Sequence, residues 1–472
     1  MFLDLEVNNV EYYGAVASPR CKDNYVVMEG HAVDYEPYQG EVKYTHYLSR
    51  EDSLERGWLT IPDDVWLLVG HNLAFELDWI WEQHFDELSK FVKRGGMFWC
   101  TQLARYRLTR QEEMYPKLSD TAIHYGGDPK LDLVQAEWER GVLTKDIDPV
   151  MLRDYLVGTP DMEGDIGNTR IAFYGEWVEA TERGMVQAIL EQNNALLFNS
   201  VCMSNGLKID IEVGEDNLKR LEKRLAEVEE LLKEQQRLSG ISEEGVRAFK
   251  FGSSYHKSAW IYGGTYRYDG RVPSIDKDGN YRYEKQSVVF EEGSKDNYLV
   301  VEGVEDLEEY CTSKGFNPTR FVRGKNAGLI KVERVDSDQV RMINGKIDED
   351  LKGVISLKEY PQEFQDGWLA KNRNETVLAC GSPVLSTKEG AIEELFNRPE
   401  TSARGKEVLT LFREWAILNK VIGAFFDRVE YYANGNIKKR SGMFQYITDQ
   451  GLIHHSLNNT ATKTGRLSSN KP

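Results

Sequence analysis

Near its start the chain reads FLDLEV, with Asp4 and Glu6 two positions apart. Side chains along an extended strand alternate between faces, so this spacing turns both carboxylates to the same side. Two carboxylates on one face of an apolar strand repel each other unless one is protonated or a cation bridges them, and a divalent metal resolves that conflict. Taken alone, the pair suits the solvent face of an edge strand at least as well. More carboxylates follow. In VGHNLAFELDWIW, Glu76 lies four after Asn72, which puts both on one side of a helix start, whereas Asp78 points elsewhere. In TPDMEGDIGNTRIAF, Asp161 and Asp165 are four apart and share a helix face after a proline-led start. His71 and His124 are of a type that ligates metals, but isolated histidines are more often hydrogen-bonded structural residues.

The surrounding pattern supplies elements to carry these groups. MFLDLEV, EYYGAVAS and NYVVMEGHAV read as short strands separated by polar turns. VWLLVGHN is an apolar run of strand length that feeds LAFELDWIWEQHF, where apolar residues recur at helical spacing. Strand and helix alternate in this way to about residue 190, so an α/β domain opens the chain. From Gln187 the pattern turns helical. One helix stops at Asn205-Gly206, and a long amphipathic one follows, with Leu218, Leu221, Leu225, Val228 and Leu232 stepping by three and four. About three heptads make a homodimeric coiled coil marginal, so packing against a neighbouring helix is expected. Residues 250–395 are irregular and rich in short strands. There DKDGNYRY lacks the later carboxylates of a calcium loop and reads as a hairpin turn at Asp278-Gly279, followed by alternating Tyr281 and Tyr283. Helix returns at KEVLTLFREWAILNKVIGAFFDRVEYY.

Composition bounds the possibilities. With 472 residues, 40% of them hydrophobic, the chain can bury cores in about two to four domains. No apolar run approaches the roughly 18 residues of a membrane span, and MFLDLEV lacks the features of a secretory signal. Five scattered cysteines give neither a zinc pattern nor a disulfide framework, which points to a reducing cytoplasm. A net charge of -18 argues against a polyanionic partner, yet residues 401–472 hold eleven Lys/Arg against five Asp/Glu. The C-terminal segment alone has the sign that nucleic acid attracts.

In this order, the DxE strand, the GHNxxF strand-helix and the late Asp-bearing helix resemble the DEDD superfamily of 3′-to-5′ exonucleases. The resemblance implies a ribonuclease H-like α/β domain over residues 1–190. It implies two Mg²⁺ or Mn²⁺ ions held by Asp4, Glu6, Glu76 and Asp165, and a phosphodiester substrate with single-stranded 3′ ends. Asn72 and Phe75, in the same motif, would contact the DNA. Two positions depart from the family pattern. Glu76 stands where the family usually has Asp, and Asp161 stands where its polymerase branch usually has a Tyr that orients water; Asp161 is carried as a further catalytic candidate.

The remainder resembles family A, DNA polymerase I-like, enzymes of phage type. NSVCMSNGLKID with its long following helix is similar to their thumb, and QGLIHHSLNNTATKTGRLSSNKP is similar to the loop at the root of their palm. The resemblance implies thumb helices at 191–250, an irregular thumb or insertion region at 251–398, and the start of a palm at 399–472. It also implies contacts to primer-template DNA from Lys420, Thr464, Arg466 and Ser468. No DYSQIE-like or HDE-like run occurs, so the chain is expected to be either a split subunit completed by a second polypeptide that carries the polymerase aspartates or a truncated product, with no membrane partner and a host-cytoplasmic location if phage-encoded. The alternative expectation is a degraded exonuclease fold that serves as a DNA-binding or assembly subunit.

Overall fold

The computed structural model describes residues 1–129, 133–380, 382–432 and 434–470. Strand β1 (Phe2–Val7) is covered on both faces. Leu3, Leu5 and Val7 enter one hydrophobic core and Phe2 a second, so both faces need a cover. On one side β1 pairs antiparallel with β2 (Val26–Ala32), which pairs antiparallel with β3 (Lys43–His46). On its other side β1 runs parallel to β4 (Leu67–Gly70), which runs parallel to β5 (Met97–Cys100). The resulting order is β3-β2-β1-β4-β5, with the DxE strand in the centre.

Helices cover the two faces. Against Leu3, Leu68 and Phe98 pack α1 (Ala74–Gln83) through Leu77 and Ile80, and α5 (Val186–Asn205) through Leu196. α2 (Thr101–Leu108) follows β5 directly. The opposite core joins Phe2, Val69 and Trp99 to α3 (Pro149–Val157) through Leu152 and Leu156, and to α4 (Asp165–Glu182) through Ile166 and Phe173. Between α3 and α4 the chain forms a minimal hairpin of β6 (Gly158–Thr159) and β7 (Met162–Glu163). The close fit of α3 and α4 on the sheet depends on Gly30. A Cβ there would stand 2.8 Å from Leu156 Cγ and 3.3 Å from Ile166 Cγ1, so any larger residue would push α3, and to a lesser degree α4, off the strand that faces Asp4.

By its internal contacts the chain divides into two units, residues 1–221 with 420–472, and residues 222–419. The leucine stripe becomes α6 (Ile211–Leu238), in which Leu218, Leu221 and Leu225 are half-buried while Val228 and Leu232 are buried. Within the second unit it packs against α7 (Ala403–Phe425), as the marginal coiled-coil length implies. Arg224 bonds Glu414 at 2.6 Å, the Trp415 indole donates to Glu229 at 3.0 Å, and Arg404 donates to the Gln235 carbonyl at 3.0 Å.

Residues 250–395 are more regular than their sequence suggests. β8 (Gly264–Pro273) and β9 (Met342–Leu351) pair in unbroken antiparallel register. Between them lies a three-stranded sheet with a small core of Val289, Val301, Cys311 and Ile330. Tyr266 and Tyr268 are buried at period two in β8, but charged and polar residues fill most other positions of the ribbon; opposed charges such as Arg267 and Asp348 mark its register. The turn at Asp278-Gly279 forms as expected, with Ile275 bridging Tyr281. In the first unit the C-terminal segment closes on itself as β10 (Ser456–Asn458) and β11 (Ser468–Asn470). All five cysteines are free, and among the described residues no helix is long and apolar enough to cross a membrane.

Candidate functional site

β1 projects Asp4 and Glu6 onto the face that α4 covers, and the first residue of α4 is Asp165. One carboxylate oxygen from each of the three lies within 4.8 Å of the others. Asn168, one turn into the helix and buried, fastens this end: its side chain accepts the Asp128 N–H at 3.0 Å and donates to the Glu163 carbonyl at 3.4 Å. Sequence reasoning passed over Asn168, because an asparagine inside a helical pattern carries no signal until its partners are known.

Glu76 joins from α1. It is 2% exposed, and its Oε2 is buried with no hydrogen-bond partner. Burial, then the charges of Asp4 and Glu6, hold its carboxyl well above the usual carboxylate range. Its oxygens lie outside the three-residue cluster, though near enough to feel the charge on β1. The donor set fits a hard divalent cation, since three convergent carboxylates and a fourth with an orphaned oxygen are groups that a cation would satisfy together.

At two places the backbone is not the helix that the spacing implies. Asp161 does not share a helix face with Asp165. Thr159 pairs with Met162, which leaves Pro160 and Asp161 as the turn of the β6-β7 hairpin, exposed and outside the cluster; the helix begins only at Asp165. Proline favours the second position of such a turn, and the tight hairpin pre-empts the helical start that the sequence suggests. Asn72, likewise, lies before α1 rather than on it, with φ at +57°, so helical spacing does not relate it to Glu76.

Asn72 and Phe75 instead line a cleft of about 300 Å³ in the first unit, together with Arg20, Asp78, His454 and Ser456. Asp78, on the same helix, is paired with Arg20 through bonds of 2.7 and 3.0 Å, although burial raises its pKa despite that partner. His71 is a structural histidine, with Nδ1 2.8 Å from Thr101 Oγ1 and Nε2 3.2 Å from the Pro116 carbonyl. His124 is exposed against the ring of Tyr125.

In the TGRLSS stretch, Thr464 and Arg466 are exposed in the loop between β10 and β11, and Ser468 opens β11 opposite Asn458. Thr462 holds the loop by donating its hydroxyl to the Arg466 carbonyl at 2.9 Å. Lys420 is exposed on α7.

No family model matches the chain, and no curated protein matches it. Among solved structures it is similar to the POL domain of Pol1 from M. smegmatis in complex with DNA primer-template and dNTP, at 13% identity and a TM-score of 0.45. That likeness covers 95% of this chain and 49% of the other, so this chain spans about half the length of that one.

Proposed function

We propose that the first unit contains a divalent-metal-dependent 3′-to-5′ exonuclease of the DEDD type, within the N-terminal portion of a family A DNA polymerase. The observation that carries this reading is the convergence of Asp4, Glu6 and Asp165 within 4.8 Å beside buried Glu76. The order β3-β2-β1-β4-β5, with the acidic pair on the central strand, supports a ribonuclease H-like domain. Asp4, Glu6, Glu76 and Asp165 would hold Mg²⁺ or Mn²⁺, two ions by the DEDD pattern. When bound, such ions supply the positive charge that phosphodiester hydrolysis needs at its attacking and leaving oxygens.

The chain's own residues do the rest. Asn72 offers an amide and Phe75 a ring to the terminal nucleotide in the cleft they line. Asp161 takes no part in holding metal, since it stands in the exposed hairpin turn. Thr464, Arg466, Ser468 and Lys420 contact the backbone of primer-template DNA, with the guanidinium suited to a forked phosphate contact. DNA synthesis belongs to the same reading and requires the remaining palm and the fingers.

Labelled single-stranded DNA and mismatched primers, incubated with Mg²⁺ or Mn²⁺, should lose nucleotides from the 3′ end. Hydrolysis that survives Asp4→Ala combined with Glu6→Ala would sink the assignment of the site. Absence of any Mn²⁺-linked rise in thermal stability would favour the non-catalytic scaffold instead.

A further inference from the structure

After α2 the chain runs through TRQEEMYPK, residues 109–117, before Leu118 returns to the core. Arg110, Gln111 and Tyr115 in this turn have φ of 57°, 68° and 50°. Left-handed backbone is costly for a residue with a side chain and persists where the surroundings over-determine it. Burial does not repay it here, because Met114 is 45% and Tyr115 44% exposed.

What holds the turn is the segment that carries TGRLSS. The Tyr115 N–H donates to the Thr460 carbonyl at 3.3 Å, and the Tyr106 hydroxyl donates to the Thr462 carbonyl at 2.5 Å. With its amide oriented to suit both neighbours, Gln111 donates to the Lys463 carbonyl at 2.9 Å and accepts from Arg107. Gly465, at φ +69°, lies against the same amide, where a Cβ would stand 3.0 Å away. On its far side the turn is tied toward the cleft: the Pro116 carbonyl accepts from His71 and from Gln102, each at 3.2 Å, and His71 precedes Asn72.

Two chain segments distant in sequence thus present one surface. Arg110, Lys117, Lys463 and Arg466 are exposed on it, and none of them forms an ion pair among the described residues. On a chain of net charge -18, four such cations in two bonded segments that also carry an exposed tyrosine ring match what a single strand requires, cations for phosphates and a ring for a base.

We infer that residues 107–117 and 460–466 form one gripping surface for single-stranded polynucleotide. Tyr115 stacks an unpaired base, and Arg110, Lys117, Lys463 and Arg466 bind the phosphates. The inference rests on the exonuclease reading for its direction only: the surface ends at His71, so a strand lying on it leads its 3′ end to Asn72.

The test is fluorescence anisotropy of labelled oligothymidylate with the full chain carrying Asp4→Ala and Glu6→Ala, which keeps the strand intact. Tyr115→Gly removes the ring and relieves the left-handed backbone. Binding should weaken about tenfold while the melting temperature holds or rises, and Tyr115→Trp should restore binding. Arg110→Gln with Lys117→Gln should weaken binding and flatten its salt dependence by about 0.7 in log-log slope per lost phosphate contact. If the Tyr115→Gly chain and the doubly neutralised chain both bind as their parent does at every salt concentration, the inference is overturned. Should Asp4 and Glu6 prove dispensable for hydrolysis while Tyr115→Gly still weakens binding, the exonuclease reading fails and the gripping surface stands.

Discussion

Helix α4 meets the sheet at two acidic sites, and the sites are built in opposite ways. One lies just past β2, where Asp34 accepts from Arg170 at 2.8 Å and from the Tyr174 hydroxyl at 2.8 Å; the two ionic side chains are only 2% and 9% exposed. At the helix's first residue, Asp165 instead meets Asp4 and Glu6, with buried Glu76 behind them. A carboxylate that serves the fold is given a fixed cation and a hydroxyl. Carboxylates that converge on one another raise each other's proton affinity, an effect that adds to burial at Glu76, and gain most from a cation that arrives from outside.

This contrast can be broken at either end. The largest effect is expected from Asp4→Ala with Glu6→Ala. Hydrolysis of 3′ termini should fall by more than the roughly 10- to 100-fold that outer partners of a metal site cost, while the metal-free protein should be no less stable in denaturant titration. Arg170→Leu should do the reverse. It leaves Asp34 buried without its cation, which costs about 3–5 kcal/mol of unfolding free energy, and a loss below 1 kcal/mol would show that the pair does not hold the helix. Next, Mn²⁺ at a hundred times its dissociation constant should stabilise the native chain by about 2.7 kcal/mol, read as a shift in melting temperature. Asp165→Asn should abolish most of that shift, and an equal shift in both chains would remove Asp165 from the site.

The smallest effect tests the second buried carboxyl of helix α4. Glu176 accepts from the Trp99 indole at 3.0 Å, its Oε1 has no partner, and burial raises its pKa well above the ordinary value. Its folded pKa exceeds its unfolded one, so its stabilising contribution is complete below the ordinary carboxylate range and is lost as pH rises toward the folded pKa. Thermal melts across that range should fall with pH in the native chain and fall less steeply in Glu176→Gln, where Glu76 and Asp78, whose pKa values are also raised, remain. A pH dependence unchanged by the substitution would place the titration elsewhere. The buried Cys100 thiol, pushed up to about 11 chiefly by its own desolvation, stays neutral throughout this window and does not confuse the measurement.

The elements of the first domain were legible because their signals are local. FLDLEV alternates as a strand must, VWLLVGHN is a short apolar run, and the helix of LAFELDWIWEQHF follows at helical period; all three form where expected. Strands were expected in the region of β8 and β9, but their length and pairing were not legible, since which strand meets which is a long-range outcome that a local period does not encode. Asp161 shows the same limit at the site itself. A spacing of four means a shared helix face only if a helix is present, and a hairpin closed by Thr159 and Met162 occupies that stretch instead.

By itself the sequence determined which residues bear charge, which strand carries the Asp4 and Glu6 pair, and that the pair shares one face, because a strand's period of two is a property of the backbone alone. The fold alone settles that Asp165 reaches that pair while Asp161 does not, that Asn72 stands outside its helix, and that the Tyr115 backbone meets Thr460. These are meetings between segments far apart in the chain. They depend on how closely two elements can approach, as at Gly30 beneath Leu156, and such distances exist only once both cores have closed.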